Sequence, residues 1–69
     1  MAINIRHTYN TNVEIHYYTD DGYTLRCRDC GDMDSIAERV CEVLVKHNFT
    51  YADICSIETG EVLIVIERT

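Results

Sequence analysis

The chain has no proline, no tryptophan and only three glycines in 69 residues. Without proline or clustered glycine no linker can be drawn, so residues 1–69 read as a single domain. No apolar run approaches the roughly 20 residues that span a bilayer as a helix. Met1-Ala2-Ile3-Asn4-Ile5 lacks the basic-then-apolar layout of a secretory signal. The expectation is therefore a cytoplasmic chain with no membrane partner. A glycine-rich phosphate loop is also missing. Positive charge is scarce: six Lys and Arg face twelve Asp and Glu, for a net charge of −6. Such a chain repels nucleic acid and anionic membrane and is drawn to basic surfaces. Many basic surfaces belong to proteins that grip DNA or RNA.

What is present is a globular composition with 46% apolar residues. A domain of this size buries only about 60% of the surface its unfolded form exposes. That leaves little room for a deep, dry active site, and small domains of this kind usually bind rather than catalyse.

Period-two patterning dominates the first half. Ile3, Ile5, His7 and Tyr9 alternate with Asn4, Arg6 and Thr8, which predicts a strand over residues 2–9. Val13, Ile15 and Tyr17 alternate with Glu14, His16 and Tyr18 over 13–19. Asp20-Asp21-Gly22 is a hairpin signal, because Asp-Gly tolerates the positive φ of tight turns. Tyr23, Leu25 and Cys27 then alternate with Thr24, Arg26 and Arg28 over 23–28. Three antiparallel strands in a meander follow from this reading.

Ile36, Ala37, Val40, Cys41, Val43 and Leu44 form one apolar stripe at helical spacing. Ser35-x-x-Glu38 matches a capping box, with Asp32 or Asp34 as competing caps, and Asn48 suits a left-handed stop. A strand over 51–58 and a turn at Glu58-Thr59-Gly60-Glu61 come next. Val62 to Ile66 is apolar on both faces, the mark of a strand covered twice. The expected fold is α+β in two layers, an antiparallel sheet of about five strands with one helix packed on one face, in the order β-β-β-α-β-β.

This order sends the helix start and the last turn to the same end of the sheet. Asp29, Asp32, Asp34, Glu58 and Glu61 would then share an acidic rim. Helix-dipole and turn chemistry explain these acids structurally; a rim that imitates nucleic-acid phosphates explains them functionally. The opposite sheet face would carry Arg6, His16, Tyr18, Arg26 and Arg28. Arginine beside exposed aromatics can clamp single-stranded RNA, although a solvated face balanced by Glu14 accounts for the same residues.

Cys27-Arg28-Asp29-Cys30-Gly31 resembles the metal knuckle of zinc ribbons and rubredoxins, in which glycine follows the second cysteine. That resemblance implies zinc as a cofactor. Those families supply a second Cys-x-x-Cys and this chain does not, so Cys41 and Cys55, or His7 or His47, would have to complete the set. The competing reading keeps Cys27, Cys41 and Cys55 as small core hydrophobes, with Cys41 in the helix stripe. Four cysteines in a reducing cytoplasm do not predict disulfides.

In size, charge and lack of motif the chain resembles the small acidic accessory proteins of bacteriophages, anti-CRISPR inhibitors among them. The resemblance implies a non-catalytic partner-binding protein, not an enzyme, without cofactor, that occludes a basic nucleic-acid-handling protein in the host cytoplasm. A zinc-stabilised module and a single-stranded RNA binder are the alternatives. Leu63 and Val65 would leave apolar surface that a second copy could cover, so a homodimer is a further expectation.

Overall fold

The computed structural model describes residues 11–68. The strand expected over 2–9 lies outside the described residues. Five elements follow in order: β1 (Thr11–Tyr18), β2 (Thr24–Gly31), α1 (Met33–Lys46), β3 (Tyr51–Ser56) and β4 (Val62–Glu67). The four strands form one antiparallel sheet in the order β2-β1-β3-β4. The fold is α+β, with the helix on one face.

β1 is the axis of the sheet. Its inward residues Val13, Ile15 and Tyr17 are all buried, and it pairs with β2 on one side and β3 on the other. Both of its edges are therefore taken. The expected meander gives way, among the described residues, to the order β2-β1-β3-β4, in which β3 fills the second edge of β1. The β1–β2 hairpin turns at Thr19–Tyr23 as the Asp-Gly signal predicts. Thr19 exchanges backbone hydrogen bonds with Tyr23 and Gly22, and Gly22 sits at φ +89°.

The helix starts three residues earlier than its apolar stripe, because Asp32 takes the N-cap. Asp32 Oδ1 accepts the Ser35 amide at 2.9 Å, and Ser35 Oγ donates to Asp32 Oδ2 at 2.9 Å. Ser35 thus supports the cap instead of providing it. At the other end His47 is the C-cap and Asn48 adopts φ 59°, the left-handed stop its identity suggests.

The core is a single layer between helix and sheet. Ile36, Val40 and Leu44 face Val13, Ile15, Tyr17, Ala52 and Ile54, with Phe49 closing the near end, where the β1–β2 hairpin lies. Tyr17 and Phe49 rings meet at 5.2 Å. Only the i, i+4, i+8 row of the helix is buried. Cys41, expected inside the stripe, is exposed, because one row suffices to cover a narrow sheet and the flanking row looks past it. β4 departs further. Val62, Leu63 and Val65 remain 54%, 43% and 52% exposed, so this strand is not covered twice. Among the described residues it is an edge with β3 as its neighbour.

Candidate functional site

Strand direction fixes which side chains share an end. β2 ends, α1 begins and the β3–β4 turn falls at the same pole of the sheet, opposite the β1–β2 hairpin. Asp29, Asp32, Asp34, Glu58 and Glu61 all belong to that pole. The turn is fastened to the start of β1 by the Ile57 amide donating to the Asn12 carbonyl at 3.2 Å. β2 and β4 are three strand spacings apart, roughly 14 Å, so the acids form two groups along one rim.

Two of the five are committed locally. Asp29 projects on the helix side of β2, where its Oδ2 accepts Arg39 Nε at 2.8 Å and its Oδ1 accepts the Cys30 amide at 2.8 Å. The Arg39 hydrogen bond, joined by the Cys30 amide, holds its carboxyl below the usual carboxylate range despite partial burial. Asp32 is lowered in the same sense by the Ser35 amide and hydroxyl. Asp34, Glu58 and Glu61 make no salt bridge among the described residues. The rim thus divides into a structural pair and three available carboxylates.

The helix-free face of the sheet is assembled by register. Across its rows lie Thr24, Tyr18, Tyr51 and Glu67; Arg26, His16, Asp53 and Val65; then Arg28, Glu14 and Cys55. The predicted group of His16, Tyr18, Arg26 and Arg28 does share this face; Arg6 lies outside the described residues. Its charge is largely balanced from within. His16 Nε2 lies 2.6 Å from Glu14 Oε1, and Arg28 Nε lies 3.7 Å from Glu14 Oε2. The His16 hydrogen bond pulls the Glu14 carboxyl down.

Residues from the second half complete this face. Tyr51 stacks on Tyr18 with ring centroids 4.5 Å apart, and Asp53 sits opposite His16. The alternation of 51–56 contained this information, but only the β1–β3 pairing shows which face Tyr51 and Asp53 join. The result is an aromatic pair flanked by two arginines on one side and the exposed Leu63 and Val65 on the other.

The cysteines do not converge. β2 stays extended through both members of the Cys-x-x-Cys pair and ends at Gly31, whose φ of +139° makes the bend. Residues three apart on a strand point to opposite faces. Cys27 is thus on the helix side and Cys30 on the open side, whereas a metal knuckle needs a turn that brings both sulfurs together. Cys41 is on the helix flank and Cys55 on the open face beside Glu14. Among the described residues no three His, Cys, Asp or Glu side chains are grouped to hold a metal ion. The donor set that the knuckle resemblance implies is not assembled, and His7 lies outside the described residues.

Among the described residues no helix is long and apolar enough to cross a membrane. Comparison with protein-family models, curated proteins and solved structures finds no match to this chain.

Proposed function

We propose that this protein is a small acidic interaction protein that occludes a basic, nucleic-acid-handling surface on a protein partner, in the manner of anti-CRISPR inhibitors. The observation that carries the reading is the placement of Asp34, Glu58 and Glu61 at one pole, without a cation of their own among the described residues. Carboxylates gathered at one pole by a turn and a helix start present acceptor oxygens to a basic surface, as a phosphate backbone does. Asp32 adds negative potential while capping the helix, and Asp29, neutralised by Arg39, holds the frame. Arg39, at the same pole, is held by Asp29.

Association would be steered by the net charge of −6 and weakened by salt. Affinity would come from desolvated anchors, for which the exposed Ile57 and Val62 beside the pole are the suited groups; the Tyr18–Tyr51 stack lies at the hairpin end of the sheet. No catalytic step is assigned. Affinity capture followed by competition tests the proposal. The captured partner should bind DNA or RNA alone and lose that binding as the protein is titrated in. A partner that retains its nucleic acid at saturation would contradict occlusion.

A further inference from the structure

β4 exposes apolar side chains on its open face and only half-buries Ile64 and Ile66 on its helix side, and this pattern is independent of the acidic pole. Leu63 and Val65 stand on the open face. On the helix side Ile66 borders a groove lined by Cys41, Leu44 and Val45 and closed by Glu67 and Arg68, with Val45 68% exposed. A ligand lying flat on either face would leave the other side wet. A strand added along the edge covers both.

Charge selects which strand. Val62–Ile66 carries no charge, and Glu67 and Arg68 beyond it cancel. The devices that normally block edge pairing, a lysine, a proline or an inward charge, are missing from this stretch. A basic partner has nothing to grip here. A second copy, acidic elsewhere, can approach by this neutral edge. Antiparallel pairing also sends the two acidic poles to opposite ends of the seam.

We infer that β4 is the seam of a two-fold symmetric dimer, in which two β4 strands pair antiparallel and join the sheets into one. The two-fold requires residues on the same face to meet, which leaves few registers. Centring on Ile64 sets Glu61 against Glu67 of the other copy and runs into the irregularity where Leu63 is the extra residue opposite Cys55. Centring on Val65 separates the two glutamates and moves the irregularity to the end of the seam. Val65 then faces its own counterpart, Ile64 faces Ile66, and Leu63 packs on the stem of Glu67.

Sedimentation of the full chain from micromolar to millimolar concentration tests the seam. The unmodified chain should reach a dimer and stop there. Val65→Lys sets two lysines face to face and should weaken the dimer by on the order of 100-fold. Thr24→Lys on the opposite edge should not. Hydrogen exchange on the unmodified chain gives a readout independent of any variant: protection of the Val65 and Glu67 amides, which alternate with the Arg68 amide that donates to Thr50 and so point away from β3, should rise with concentration. A monomer at millimolar concentration, open-ended oligomers, or a folded Val65→Lys chain that dimerises like the original would overturn the inference.

Discussion

Two leucines provide a matched test of how the sheet is covered. Leu44 lies under the helix at 2% exposure and Leu63 stands on the helix-free face at 43%. Leu44→Ala removes a fully packed side chain, which costs about 2–5 kcal/mol including the cavity it leaves. Leu63→Ala removes a side chain that is half in water and leaves no closed cavity. Half of the roughly 1.5–3 kcal/mol for full burial gives about 0.8–1.5 kcal/mol, and the methyl that alanine keeps brings the loss to about 1 kcal/mol or less. A domain of this length has on the order of 3–10 kcal/mol in total. Leu44→Ala should therefore move the urea midpoint by about 2 M or more, at the roughly 1 kcal/mol/M slope of small proteins, and Leu63→Ala by under about 1 M. The assay is urea unfolding followed by circular dichroism, at concentrations where the chain is monomeric. Equal losses would refute the reasoning, because they would mean that Leu63 is packed within the monomer and its face is not free for a partner.

Three further outcomes follow from the charges and thiols. Asp29 and Asp32 have carboxyls held below their ordinary values, so the stability they add is full above the usual carboxylate range and is lost as pH falls through the lowered values. The thermal midpoint should be flat near neutrality and fall below about pH 4, less steeply in Asp29→Asn. Burial pushes the Tyr17 hydroxyl up to about 12, so the stability it adds is present below pH 10 and is lost as pH rises toward 12. Ultraviolet titration should show Tyr17 ionising last, after a Tyr18 hydroxyl that is also raised, by burial and then by Asp53, together with alkaline unfolding. Cys27, Cys30 and Cys41 are exposed and Cys55 is half-buried, with burial and then Asp53 raising its thiol. A native-state thiol assay should read three fast cysteines and one slow one, and Cys27→Ser with Cys30→Ser should change stability by no more than about 0.5 kcal/mol.

Local chemistry made much of this fold legible. The Asp-Gly turn, the Asn48 stop and the alternation of 13–19 rest on local preferences, and the turn and stop form where those preferences put them, with the strand shifted to Thr11–Tyr18. The end of β2 was not legible in the same way. Arg28-Asp29-Cys30 has no strong strand preference, and what extends it is pairing with Thr11–Val13, far away in sequence. That extension separates Cys27 from Cys30 and turns Asp29 toward Arg39. The apolarity of Val62–Ile66 was plain, but it does not say what covers the strand. Within the described residues the helix reaches one side in part and nothing reaches the other.

The acidic pole was readable as a topological consequence, since it needs only strand directions. The division of its acids was not, because it depends on which side of β2 Asp29 occupies and on which residue wins the N-cap. The open face mixes both cases. Its arginines follow from alternation within β2, whereas its Tyr18–Tyr51 pair requires the register between β1 and β3.

The most direct test of the acidic pole is partner capture by a variant carrying Asp34→Lys, Glu58→Lys and Glu61→Lys, compared with the unmodified chain at several salt concentrations. Capture of a basic nucleic-acid-binding protein should be lost in the variant and should decline with salt for the unmodified chain, while both chains stay folded, the variant less stable by about 1 kcal/mol because Asp34 sits in the first turn of α1. Equal, salt-independent capture, or retention of nucleic acid in place of protein, would contradict the account.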